Sequence, residues 1–115
     1  MAKSLIMLVR VLGLLAIILG SLSWVTGQRH YLAPHIGIGF CVAVVVVVMS
    51  VIAMAKGDVV LGVIGLLLAV LLPLMGFMQL PVVFHSMGAV QGIHIALAFT
   101  AIGVAERLYS TIRRA

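Results

Sequence analysis

Long apolar stretches alternate with short breaks along this chain. Residues 27–30 and 56–58 form polar breaks, and Pro81 marks a third, which leaves apolar stretches at 5–26, 34–55, 59–80 and 85–112. An α-helix of about 20 residues crosses the roughly 30 Å hydrocarbon core of a bilayer. The pattern therefore predicts an all-α, integral membrane four-helix bundle with up-down-up-down topology, built as a single transmembrane domain over residues 1–115.

Local features refine these four spans. The β-branched run at 42–48 would favour a strand in water, but backbone groups inside a membrane must pair within their own segment, so a helix is expected. Lys56-Gly57-Asp58 is long enough only for a tight turn between two helices. Pro34 suits the first turn of the second span, and Pro73 is expected to kink the third.

Composition and charge exclude a soluble domain and a nucleic-acid binder. Only 8% of the 115 residues are charged, whereas soluble domains have about 25%. The net charge of +5 comes from basic residues at the predicted helix ends, six of them on the tails and the central turn: Lys3, Arg10, Lys56, Arg107, Arg113 and Arg114. Arg29 alone lies on the other side. The positive-inside rule then predicts a multi-pass protein of the bacterial inner (plasma) membrane with both termini cytoplasmic.

Acidic and cysteine chemistry is nearly absent from the sequence. Asp58 falls in a turn, and Glu106 is expected to form an ion pair with Arg107 or with Arg10 on the first span. The lone Cys41 allows no internal disulfide and no cysteine-based metal cluster. An enzyme is therefore less expected than a binding or structural protein.

The four histidines are the remaining candidates for chemistry. His35 begins the sequence HIGIGF on the second span, and His94 begins HIALAF on the fourth. Residues at i and i+4 share a helix face. Gly39 therefore lies on the same face as His35, and Ala98 on the same face as His94. Two imidazoles on different helices above small side chains suit a b-type haem, which is wide and flat and takes axial histidines. We predict haem b between His35 and His94, with electron transfer as the function.

His85 is an alternative ligand. It lies nine residues before His94, about 180° away around one helix, so both cannot face one site on a continuous helix. The ligand pair is either His35 with His94 or His35 with His85. The shared sequence motif favours His94 and leaves His85 beside the site.

Other functions remain open from the sequence. His30, His35 and His85, together with the thioethers of Met75, Met78 and Met87, would suit copper(I). A structural or accessory subunit of a larger membrane complex, with histidines that only hydrogen-bond, is a further alternative, as is a quinone or lipid pocket. The stripe of Gly88, Gly92 and Ala96 would let another helix approach closely, from this chain or from a second copy, so the expected partners are the lipid bilayer and a homo-oligomer or larger complex.

Residues 90–107, VQGIHIALAFTAIGVAER, together with Pro34-His35 and His85, resemble small bacterial four-span membrane proteins that have no assigned activity. Paired histidines on a four-helix membrane bundle are also loosely similar to membrane-bound b-type cytochromes. The haem prediction itself comes from the spacing of the histidines, because the longer signatures of the known cytochrome families are absent.

Overall fold

The computed structural model describes residues 1–79 and 88–114, and within them it contains helices and no strand. The four α-helices are α1 (Ala2–Thr26), α2 (Leu32–Ala55), α3 (Val59–Phe77) and α4 (Gly88–Arg114). Each is long and apolar enough to cross a membrane. They form an elongated bundle of 45 × 22 × 16 Å, and its long dimension matches a bilayer with its headgroups, about 40–45 Å. The predicted all-α architecture is confirmed for the described residues, with four helices long and apolar enough to span a membrane.

Three helix ends extend beyond the expected spans. α1 begins at Ala2 rather than at residue 5, and α2 begins at Leu32, after a 3-10 turn at Arg29–Tyr31. Pro34 consequently lies within the first turn of α2, where a missing N–H loses no intrahelical partner. α4 continues to Arg114 rather than 112, because basic residues in a last turn interact favourably with the helix dipole.

The chain around the third connection is described only in part. α3 contains Pro73 and ends at Phe77 rather than at 80, and Met78 and Gln79 form a turn. The Gln79 N–H donates to the Gly76 carbonyl at 3.2 Å. The expected start of the last span at 85 lies outside the described residues, and the helix is seen from Gly88.

The expected tight turn at Lys56-Gly57-Asp58 joins α2 to α3. Gly57 has a φ of 99°, a left-handed conformation that favours glycine. Asp58 caps α3 by accepting from the Leu61 N–H at 3.1 Å, and its second oxygen accepts from the Thr111 hydroxyl at 3.3 Å. The turn therefore lies beside the last turn of α4, and we call this part of the bundle the Asp58 end. The opposite part, with the 3-10 turn, is the Arg29 end.

Glu106 pairs with Arg10, the second of its two expected partners. The Arg10 guanidinium donates to both carboxylate oxygens, from Nε at 2.7 Å and from Nη2 at 2.9 Å. A bidentate pair fixes direction as well as distance, so it joins α1 to α4.

The packed core lies in the half of the bundle nearer the Asp58 end. Its largest fully buried side chains are Ile6, Val9, Val46, Met49, Ser50 and Leu108. Gly62 and Gly65 let α3 approach α2 so closely that an added Cβ would collide with Met54 or Ser50. The other half is less filled, and the cavity described below occupies it.

The Gly88 and Gly92 stripe does not pack within the described part of the chain. A Cβ built on either glycine meets no described atom within 4 Å, and Ala96 is exposed. The described helices therefore do not use this stripe for close approach.

Candidate functional site

A cavity of about 420 Å³ lies among all four helices in the half nearer the Arg29 end. Its lining extends from Leu32 to Val42 on α2 and from Gln91 to Ile102 on α4. At 1.5 Å per residue this is about 15 Å along each helix. The volume is within the usual range for small-molecule sites, about 300–1,000 Å³. The cavity is long in the direction of the helices, so a flat ligand would lie with its plane along them.

His35 is held in a defined orientation by α1. Its Nδ1 lies 2.7 Å from the Ala16 carbonyl oxygen. A carbonyl oxygen only accepts hydrogen bonds, so Nδ1 carries the proton of this bond. In the neutral ring the lone pair is then on Nε2, the tautomer that metal-binding histidines with a backbone hydrogen bond adopt.

Gly20 makes this position of His35 possible. A Cβ on Gly20 would lie 2.7 Å from Cε1 and 3.0 Å from Nδ1 of His35, closer than real Cβ contacts. Gly20 and Ala16 were not identified from the sequence. The available signal was a stripe of small residues on α1, Gly13, Ala16 and Gly20, which recur at the spacing of one helix face.

His94 of α4 faces His35 across the bundle. The two ring centres are 6.1 Å apart, and the ring planes are inclined at 76°. The buried Nδ1 of His94 has no hydrogen-bond partner among the described residues. Gly76 on α3 lies next to this ring, and an added Cβ would be 3.4 Å from Cε1, about van der Waals contact. A buried polar atom without a partner typically costs about 1–3 kcal/mol.

This separation suits two imidazoles that share one metal ion. An imidazole nitrogen lies about 2 Å from the metal it binds, so two imidazoles on opposite sides of one ion have ring centres roughly 6 Å apart. Rotation about each metal–nitrogen bond is free in principle, so an angle of 76° between the rings is compatible with such ligation. The distance between the ring centres is therefore the one that two axial imidazoles on a single iron ion would have.

The other residues singled out from the sequence have different placements. Gly39 and Ala98 both line the cavity, and a Cβ on Gly39 would meet no atom within 4 Å. His30 stacks on Tyr31, with ring centres 4.0 Å apart, and does not line the cavity. His85 lies outside the described residues, as does Met87, so their roles stay predictions.

Protein side chains alone do not complete a metal site in the part of the chain that the structure describes. No group of three or more His, Cys, Asp or Glu residues comes together there. A porphyrin supplies four nitrogens of its own, so two imidazoles are a sufficient protein contribution to haem. The copper alternative would depend on His85 and Met87, outside the described residues.

No known protein family, curated protein or solved structure matches this chain.

Proposed function

We propose that this protein binds a b-type haem between α2 and α4 and transfers electrons in a membrane. One observation carries the proposal: imidazoles from two helices face each other at 6.1 Å inside an apolar cavity of about 420 Å³. One of them is already oriented by a backbone carbonyl, and the other has a buried nitrogen without a partner. Coordination, or contact with a bound ligand, would offset the cost of that nitrogen.

Each part of the site has a role in this proposal. His35 and His94 would be the axial ligands, and the Ala16 carbonyl would raise the basicity of His35 while fixing its rotation. Gly39 and Ala98 would leave space for the macrocycle, and Gly20 and Gly76 would leave space for the imidazoles. A bound haem would supply one-electron redox chemistry, whose potential responds to the apolar wall around it.

We also infer that successive helices alternate in direction, in a bacterial inner membrane, with both termini cytoplasmic. The contacts of Arg10 with Glu106 and of Asp58 with Thr111 support this arrangement, because they gather basic and acidic groups at one end of the bundle. The Arg29 end would then face the periplasm.

The test is a visible spectrum of protein expressed with added haem, recorded with and without dithionite. A low-spin spectrum with a sharp reduced α-band is expected. His35→Ala and His94→Ala should each abolish it, because the iron loses one axial imidazole. His30→Ala is the matched control: it removes an imidazole outside the cavity and should leave the spectrum intact.

Two further variants locate the cofactor. His85→Ala should at most shift the midpoint potential if the ligands are His35 and His94. Loss of the low-spin signal in His85→Ala, with retention in His94→Ala, would assign the pair His35 with His85 instead. Gly39→Leu should block haem loading, because its side chain would enter the cavity beside His35. Normal loading in Gly39→Leu would contradict the placement.

The wild-type spectrum also tests whether any cofactor is bound. Wild-type protein that purifies without absorbance and without metal, after expression with added haem and copper, would overturn both cofactor proposals. The histidines would then be hydrogen-bonding groups of an accessory subunit. Recovery of copper without haem would favour the His/Met copper site.

A further inference from the structure

The cavity is polar at one end only. On the Asp58 side of the two histidines, every described residue that lines the cavity is apolar or glycine. Examples are Val42 on α2, Leu72 on α3 and Ile102 on α4. The remaining polar side chains are at the level of the histidines or nearer the Arg29 end: Ser21, Ser23, Trp24, Arg29, Gln79 and Gln91. A ligand that fits this gradient is amphiphilic, with its apolar part beyond the histidines.

Arg29 gives the polar end a positive charge. Among the described residues that line the cavity, it is the only Lys or Arg, and none of them is acidic. Within residues 1–79 and 88–114 its guanidinium has no hydrogen bond or ion pair. The two acidic residues of the chain, Asp58 and Glu106, are engaged near the other end by Thr111 and Arg10. An anion for Arg29 must therefore come from a ligand or from the surroundings.

We propose that Arg29 binds the propionate carboxylates of the haem and so fixes which edge of the macrocycle faces the Arg29 end. This inference rests on the proposed function. Haem b has two carboxylates on one edge and only apolar substituents on the opposite edge, which matches the polar and apolar ends of the cavity. Guanidinium recognises carboxylate oxygens through two parallel hydrogen bonds. His35 follows Arg29 by only six residues, and both line the cavity, so one segment of the chain would supply the ligand and the counter-ion.

The test compares two ligands in the full-length protein reconstituted in neutral-lipid nanodiscs. The ligands are haem b and its dimethyl ester, in which both propionates are esterified and uncharged. The rate of haem transfer to excess apomyoglobin measures retention. Arg29→Gln should release haem b about tenfold faster, as expected for the loss of a charge-assisted hydrogen bond. It should not change release of the dimethyl ester, which has no carboxylate to lose.

The control is Arg107→Gln. It removes the same charge from an exposed arginine of α4 that does not line the cavity, so its release rates should equal those of wild type for both ligands. Arg29→Lys keeps a point charge without the planar fork, and its haem b release should fall between wild type and Arg29→Gln.

Specific outcomes would overturn the inference. If Arg29→Gln releases both ligands faster by the same factor, Arg29 stabilises the protein structure and does not bind the propionates. Unchanged haem b release in Arg29→Gln would mean that Arg29 does not bind the propionates. Both results would leave the haem proposal intact. If wild-type protein takes up neither ligand, the proposed function and this inference fail together.

Discussion

At the residue scale, the best-defined polar contact of the site is between His35 and α1. The Nδ1 of His35 donates to the Ala16 carbonyl, and Gly20 supplies the space that the ring occupies. A histidine inside a membrane span is costly unless it has partners. Here one nitrogen has a partner in the protein, and the other is available to a ligand.

Gly20→Ala tests whether this contact positions the ligand. The added methyl would displace the imidazole of His35, break the bond to Ala16 and overpack the interface, at a typical cost of about 1–3 kcal/mol. We expect a lower free energy of unfolding in mixed SDS micelles and weaker or altered haem absorbance. Gly37→Ala is the matched control on α2, since its Cβ would meet no atom within 4 Å. Equal behaviour of the two variants would show that the Gly20 contact does not position His35.

The residue-scale chemistry was predictable from the sequence only in part. The motifs that begin at His35 and His94 pointed to the two rings that the structure brings together. Gly20 and Gly76 were not identified, because their role depends on which helix packs against each imidazole. Sequence periodicity gives the faces of a helix but not its neighbours.

At the element scale, Gly62 and Gly65 of α3 allow this helix to pack closely against α2. A Cβ on Gly65 would collide with the Ser50 hydroxyl and lie 3.2 Å from Cδ1 of Leu108. Ser50 is fully buried, and its hydroxyl donates to the Val46 carbonyl of its own helix at 2.7 Å. Small residues that allow close backbone approach are a common basis of helix packing in membranes.

Gly65→Ala should destabilise this pair of helices by about 1–3 kcal/mol, because the methyl has no space beside Ser50. Ser50→Ala removes the obstructing hydroxyl, so the double variant should recover part of the lost unfolding free energy. Gly103→Ala on α4 is the control without neighbours. Strictly additive effects of Ser50→Ala and Gly65→Ala would contradict the contact.

Arg10 and Glu106 form an ion pair between α1 and α4, and their side chains are 48% and 39% exposed. Glu106→Gln should weaken α1–α4 association, because it leaves the arginine without a carboxylate. Arg10→Gln combined with Glu106→Gln should be more stable than either single variant, since no unpaired charge is left. Unfolding in mixed micelles measures all three. A double variant that is no better than the singles would show that the charges do not interact there.

The helices themselves were predictable because bilayer thickness limits their length. Four apolar stretches of sufficient length allowed four spans and no soluble domain, and the structure has four such helices. The helix ends were less predictable. The 3-10 turn at Arg29–Tyr31 and the early start of α2 depend on capping and local hydrogen bonds that hydropathy does not report.

At the scale of the whole molecule, the bundle has a packed half and a hollow half. Leu108 and Met49 are completely buried toward the Asp58 end, whereas the cavity occupies the half toward the Arg29 end. Protein interiors are normally close-packed, so this cavity among the described helices contrasts with the half that contains Met49 and Leu108. The contrast is what the proposed haem binding would require, because the packed half would maintain the bundle around the ligand.

The last prediction concerns the direction of the bundle in the membrane. Basic residues gather on the tails and at the Lys56 turn, and the contacts of Arg10 and Thr111 bring these parts to one end. Positive charge near spans is retained in the cytoplasm. An alkaline phosphatase fused after Ala115 should therefore be inactive, and a fluorescent protein fused there should be bright. A phosphatase inserted after Gly27 should show the reverse pattern, with activity. An active phosphatase at Ala115 would place the Arg29 end in the cytoplasm, and any haem carboxylates bound at Arg29 would then face the cytoplasm instead of the periplasm.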